Sequence, residues 1–497
     1  MPKAFRNLIG GKETDAASGR TFENRNPANW NEIIGTFPGS DKRDVDAAVE
    51  AATEAYKDWH LYPAPKRGDI VKKAGDILVA RKEELAKVMT REMGKVLLET
   101  RGDVQEGIDT AYYAASEGRR MFGVTAPSEL ANKFAMSMRV PVGVAGVISP
   151  WNFPMAIPTW KIFPALVSGD TVVFKPASDT PATAAALVEI LVEAGVPPGV
   201  INIVHGTGSE VGMPIVEHEG VELVSFTGST AVGKKISEIA SRTLKRVSLE
   251  LGGKNAEIVM DDANLELALD GILWGAFGTT GQRCTATSRL IVHEKVHDKF
   301  LDMLAGRAAL LKLGDGLNES NEVGPLINDA QREKVHSYTE IGKKEGARLV
   351  TGGDPALGGE LDKGWFYKPT IFADVTPEMT IAREEIFGPV LSVMKARSIE
   401  HAIELLNGTI YGLSSAVYTK NLNHAFKAMR DIKAGITYIN APTIGAETHM
   451  PFGGVKQTGN GHREGGASAF EFFTEVKTVY VDYSDKLQRA QIDTYKN

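Results

Sequence analysis

The sequence predicts an α/β fold with two domains. From about residue 142, short β-rich runs alternate with helical segments. The runs are VAGVIS (144–149), TVVF (171–174), VINIV (200–204) and VELVSF (221–226), and TPATAAALVEILVEAG (180–195) is one of the helical segments between them. Such βαβ alternation implies a parallel sheet with right-handed crossovers. A second series begins after Leu251, with NAEIVM (255–260) and SRLIV (288–292) interleaved with helices. The 497 residues are enough to bury more than one core.

Upstream of the alternation, a short hairpin-like start leads into helical patterns from Asp41 to about residue 122. There Val45, Val49, Ala52 and Tyr56 recur at the spacing of an amphipathic helix. The tail, TEVKTVYVDYS, reads as an extended strand with a polar flank. An exposed β-rich strand of this kind is a liability unless something pairs with it. No internal repeat, low-complexity segment or long linker is present.

A hydrophobic share of 43% and a charged share of 24% are ordinary for a soluble globular protein. A net charge of −7 and the lack of a basic run give no pull toward nucleic acid or an anionic membrane. The opening MPKAFRNLIGGK lacks the apolar core of a signal peptide, and charges and glycines interrupt every hydrophobic run. A cytoplasmic protein without a membrane partner is expected. The single cysteine, Cys284, rules out an intramolecular disulfide and any zinc site built on several thiolates.

Three motif matches mislead. Residues 228–235, GSTAVGKK, come within one residue of the phosphate-binding pattern GxxxxGK[ST], but Lys235 stands where a hydroxyl must ligate magnesium. The weaker physics survives: a glycine-opened helix N-terminus offers N–H groups and a positive dipole to a pyrophosphate. HEKVH (293–297) matches a zinc-protease motif in form only. His293 ends a strand-like run and the helical pattern starts near His297, so the two rings are expected on a surface turn and no metal is expected. GTGSEVG (206–212) has one residue too many for GxGxxG and reads as a turn into a helix.

A lone cysteine is more often an inert buried residue than a nucleophile, so its neighbours must decide. In TTGQRCTATSR the neighbours are small and polar, and Arg283 supplies a cation that could favour the thiolate. Glu250 in SLELGGKN ends an apolar run just before a Gly-Gly turn, where a glutamate is ordinarily a surface residue.

Six segments together resemble the aldehyde dehydrogenase superfamily: SPWNFP (149–154), FTGSTAVG (226–233), SLELGGKN (248–255), GQRC (281–284), EEIFGPV (384–390) and PFGG (451–454). They stand in that family's order and at its spacing, with 34 residues from Glu250 to Cys284 and 132 from Asn152 to Cys284. The resemblance spans nearly the whole chain. It implies that Cys284 is the nucleophile, that Asn152 helps form the oxyanion hole and that Glu250 is the base for thioester hydrolysis. It also implies NAD or NADP as cofactor, with Trp151, Gly228, Ser229 and Gly233 around the pyrophosphate. Lys175 and Ser178 would lie at the adenosine ribose, and Glu385 and Phe387 at the nicotinamide.

The family fold further implies a Rossmann-type cofactor domain at residues 1–122 and 142–253 and an α/β catalytic domain at 254–477. A small β oligomerisation element would combine 123–141 with 478–497, its tail strand pairing across a subunit interface in a homodimer or homotetramer.

Within the family, Arg283, Glu106 of DVQE and PTIGAE (442–447) look similar to α-aminoadipic semialdehyde dehydrogenases. GQRCTATSR resembles α-ketoglutaric semialdehyde dehydrogenases. Both imply an aldehyde with a distal carboxylate, met by Arg283, with Glu106 and Phe452 also on the substrate path. Glu106 is expected to orient Arg283, to pair with it or to meet a substrate amine. After PFGG the chain reads TGNGHREGG where the family usually runs SGxGRE, which makes His462 an apparent insertion. Two alternatives remain open: a non-enzymatic protein on the same fold, and acyl transfer to coenzyme A instead of water, against which Glu250 argues.

Overall fold

The structure is a computed structural model in which residues 2–492 are described. Residues 493–497 of the expected oligomerisation element lie outside that range. Two seven-stranded sheets dominate, each covered by helices. The heart of the first is five parallel strands in the order Arg246–Glu250, Leu223–Thr227, Val144–Ile148, Thr171–Lys175 and Ile201–Ile203. The hairpin Asn7–Ile9 and Lys12–Thr14 extends it antiparallel. Val144–Ile148, Thr171–Lys175 and Ile201–Ile203 are buried throughout, as unbroken apolar runs in a parallel sheet should be.

Val144–Ile148 is the earliest of the five, and the chain builds outward from it in both directions. Such a switch point leaves a crevice beyond the carboxyl ends of the two diverging strands, where open α/β sheets bind ligands. The segment SPWNFP follows one of these strands, and GST, opening the helix Thr230–Ser241, follows the other. The predicted helical stretch resolves into Lys42–Trp59, Ala64–Ala80, Lys82–Met93 and Leu97–Glu117. Asp41 and Asp44 form a capping box that starts the first of them where the sequence placed it.

Only five residues, 251–255, separate Glu250 from Ala256–Val259, the first strand of the second sheet. That sheet runs Arg348–Thr351, Thr370–Ala373, Val390–Ala396, Arg289–His293, Ala256–Val259, Ser414–Tyr418 and Ile436–Ile439, all parallel except its first pair. The chain later returns beside the same connector. Thr458 accepts from the Leu251 N–H through its carbonyl and donates its hydroxyl to the Gly252 carbonyl. The Asn460 carboxamide bonds Leu249 and Val247, closing the open edge of the first sheet.

The tail strand Thr474–Asp482 pairs with Lys133–Pro141 of the same chain along nine residues and is the edge strand of that sheet, its other side unpaired among the described residues. One expectation needs correction. The histidines of HEKVH are buried, not on a surface turn: His293 ends a central strand and His297 lies under the helix Glu294–Ala308, which begins earlier than its polar first turn signals. No helix among the described residues is long and apolar enough to cross a membrane.

Candidate active site

Cys284 sits on the segment that leads into the strand Arg289–His293, at the amino edge of the second sheet and facing the carboxyl edge of the first. Thr279, Thr280 and Gly281 ahead of it are all left-handed, with φ of 53°, 57° and 67°. Gly281 is required there, because a Cβ would stand 2.2 Å from the Gly388 carbonyl oxygen. Two buried amides hold the loop. Asn255 donates to the Cys284 and Ala286 carbonyls at 2.7 and 2.9 Å, and Gln282 accepts from the Ile327 N–H at 3.0 Å.

Two cavities meet at the cysteine. The larger, about 400 Å³, is lined by Glu106, Phe153, Trp160, Arg283, Phe452 and Glu464 among others. The other, about 190 Å³, is lined by Trp151, Asn152, Gly228, Ser229, Glu385 and Phe387. Cys284, Thr227 and Leu251 belong to both walls. Trp151 and Phe387 stand edge to face with centroids 5.4 Å apart. Glu385 accepts from the Gly253 N–H at 2.8 Å. Asn152 is buried on the wall of the smaller cavity, and its Oδ1 has no partner.

The electrostatics are those of a site crowded with buried carboxyls. Burial and the carboxylates of Glu250, Glu385 and Glu464 push the Cys284 thiol up to about 12. This overturns the expectation that Arg283 favours the thiolate, because the guanidinium turns away to Glu99 at 3.0 Å. Glu250 is buried, with neither carboxyl oxygen hydrogen-bonded to a side chain, and burial and then Glu464 raise its pKa well above the usual range. Burial likewise lifts Glu106 to about 8, with Asp103 adding to the effect. Glu106 makes no ion pair with Arg283 among the described residues, so of the roles expected for it the direct pairing does not hold, and it lines the same cavity.

The other expected residues are placed less uniformly. Phe452 packs edge-on against Trp160 with centroids 4.7 Å apart, inside the larger cavity. Ser229 caps the helix Thr230–Ser241 by accepting from the Val232 N–H. Gly233 lies one turn in, where a Cβ would meet the Leu251 side chain at 2.4 Å; it serves helix packing and does not line the cleft. Lys175 ends its strand, held down to about 8 by burial, and the Ser178 hydroxyl donates to the Gly206 carbonyl at 2.9 Å. His462 is outside both cavities, its ring against Phe472.

Sequence reasoning missed Glu464, Lys161 and Glu99. Glu464 lines the larger cavity and is ion-paired with Lys161, which also donates to Ser225 at 3.0 Å. Lys161 was readable: it is the one charged residue in the fully buried helix Ala156–Ser168. Glu99, on an ordinary amphipathic helix, gave no signal.

A sequence profile of the aldehyde dehydrogenase family matches residues 14–479. The chain is 45% identical to the α-ketoglutaric semialdehyde dehydrogenase of Bacillus subtilis, over 96% of this chain and 98% of that one. It is 42% identical to the α-ketoglutarate semialdehyde dehydrogenase of Haloferax volcanii, over 97% and 100%. The crystal structure of an NAD-dependent aldehyde dehydrogenase from Sinorhizobium meliloti superposes with a TM-score of 0.95 at 40% identity, covering 98% of this chain and 96% of that one. The chain therefore belongs to the aldehyde dehydrogenase family and is an enzyme that oxidises aldehydes to acids with a nicotinamide dinucleotide.

Proposed function

We propose that this enzyme oxidises a semialdehyde with a distal carboxylate, of the α-ketoglutaric kind, to the dicarboxylate. The observation that carries the reading is that Cys284 is common to two cavities, with a guanidinium on the wall of the larger. The larger cavity takes the aldehyde, and Arg283 meets its far carboxylate through charge-assisted hydrogen bonds. Glu106, whose raised pKa keeps its carboxyl protonated at neutral pH, donates to a substrate oxygen nearby. Phe452 and Trp160 pack the chain between the two ends.

The smaller cavity fits the nicotinamide end of the cofactor: Trp151 and Phe387 offer aromatic edges, and Glu385 offers a carboxylate to ribose hydroxyls. Gly228 and Ser229 offer a helix start to the pyrophosphate, with Lys175 and Ser178 farther out at the adenosine ribose. When bound, the nicotinamide supplies the two-electron acceptor. The Cys284 thiol releases its proton to solvent as its sulfur adds to the aldehyde carbon, while Asn152 Nδ2 and the Cys284 N–H hold the oxyanion. Oxidation of that thiohemiacetal leaves a thioester on sulfur. Glu250, acting in its ionised form, then takes a proton from the water that attacks the thioester; the sulfur leaves and is reprotonated, and acid and free thiol are regenerated.

Residues 1–122 with 142–253 act as the cofactor domain and 254–477 as the catalytic domain, in a cytoplasmic homo-oligomer joined through the sheet of Thr125–Pro127, Lys133–Pro141 and the tail strand. Its exposed Phe134, Met138, Val476 and Tyr480 support that reading.

The test is an initial-rate comparison of an anionic semialdehyde and a neutral aldehyde of equal length, each with NAD+ and NADP+. Arg283→Ala raises KM for the anionic substrate roughly tenfold or more and leaves the neutral one unchanged. An equal loss on both substrates removes Arg283 from recognition. NADP+ is accepted at least comparably with NAD+, since Ser178 places no carboxylate against a 2′-phosphate.

A further inference from the structure

Glu99 is the one charged residue shared by the walls of the substrate cavity and of a second cavity of about 470 Å³ behind it. A single oxygen, Oε1, accepts from the Thr279 N–H at 2.6 Å and from Arg283 Nη2 at 3.0 Å. Arg283 Nε in turn donates to Thr279 Oγ1 at 2.9 Å, which closes a ring of three contacts. We propose that Glu99 is a positioning residue for specificity, fixing the Arg283 guanidinium as the receptor of the substrate's distal carboxylate. This inference rests on the reading of Arg283 given above.

Three features support it. Both side chains of the pair are about nine-tenths buried, at 8% and 10% exposure, so solvent and salt screen the contact little. Thr279 and Thr280 are β-branched residues in left-handed conformations, which persist only where the surroundings over-determine them. The bond from Oε1 to the Thr279 N–H is one such constraint, and it comes from a helix 180 residues away in sequence. At Gly278 a Cβ would lie 3.0 Å from Glu99 Oε1, so the glycine keeps the carboxylate's seat open.

The ring also sets which part of the guanidinium faces the substrate. Nε and Nη2 are engaged, while Nη1 makes no hydrogen bond to the protein among the described residues. Phe153 and Trp274 lie 5.5 and 5.8 Å from the guanidinium carbon and limit its swing. Without Glu99 the long arginine side chain is free to reach other acceptors, and the receptor site disperses.

Position and charge separate in two conservative variants, measured in the full-length enzyme with the same pair of substrates. Glu99→Gln keeps an oxygen for both donors and drops the charge; Glu99→Asp keeps the charge and withdraws the oxygen by one methylene. The expected result is a KM for the anionic semialdehyde raised roughly tenfold in Glu99→Asp and near wild type in Glu99→Gln. For the neutral aldehyde, KM stays within about twofold of wild type in both, and any fall in kcat through the Cys284 loop is shared by the two substrates. Equal rises in KM on both substrates, a rise in Glu99→Gln as large as in Glu99→Asp, or no rise in either overturns the proposal. If Arg283→Ala discriminates between the substrates while Glu99→Asp does not, only Glu99 is displaced. If Arg283→Ala does not discriminate, it is the reading of Arg283 that fails.

Discussion

Reaction of the cofactor-free enzyme with a small neutral disulfide such as dithiodipyridine reads the electrostatics of the site directly, because Cys284 is the only thiol in the chain. The perturbation is pH. With the thiol pushed up to about 12, about one molecule in ten thousand is thiolate at pH 8, against about a quarter for a thiol of ordinary pKa near 8.5. That is a deficit of roughly three decades in reactive species. A more basic thiolate is also a better nucleophile, with a Brønsted slope of about 0.4–0.5, which returns roughly one and a half decades. The net expectation is a rate about two decades below that of an unstructured cysteine peptide. It should climb nearly tenfold per pH unit through pH 10 without a plateau. Glu250→Gln removes the first carboxylate acting on the thiol after burial itself, so the whole profile moves to lower pH. The assay is thiopyridone absorbance against time, with the guanidinium-unfolded enzyme as the control for an accessible thiol. A plateau below pH 9 in the native enzyme would refute the argument, since it would mean that the resting site stabilises the anion.

Two further outcomes follow from the geometry. Glu250→Gln should show a pre-steady-state burst of reduced cofactor followed by steady-state turnover lowered at least a hundredfold, because acylation survives and hydrolysis does not; absorbance at 340 nm in a stopped-flow instrument separates the phases. Gly281→Ala should lower the melting temperature by several degrees and abolish turnover, since the added methyl meets the Gly388 carbonyl at 2.2 Å in a left-handed turn; a calorimetric scan matching wild type would contradict the assigned backbone.

The parallel sheets were legible because their strands are unbroken apolar runs between helical patterns, and Val144–Ile148 and Leu223–Thr227 fall where that pattern puts them. The family resemblance singled out Cys284, Glu250 and Asn152; Cys284 lines both cavities, Glu250 the larger and Asn152 the smaller. What stayed hidden depended on side-chain direction. Arg283 next to Cys284 in sequence looked like a neighbouring charge, yet adjacent residues on an irregular loop point apart, and its guanidinium turns to Glu99. His297 looked exposed because the helical pattern in the sequence starts only there, but the helix begins at Glu294 and carries it on the buried face. Ser178 carries no sign in KPAS that its hydroxyl is committed to the Gly206 carbonyl.

The two backbone crossings between the sheets, at 251–255 and at Thr458–Asn460, lie side by side and are stitched together by hydrogen bonds. They act as a covalent pin. Any opening of the cleft that preserves both sheets turns about that pin, and displacement grows with distance from it. Glu250 is next to the pin and moves least, so the proposed base is the part of the site that such an opening disturbs least.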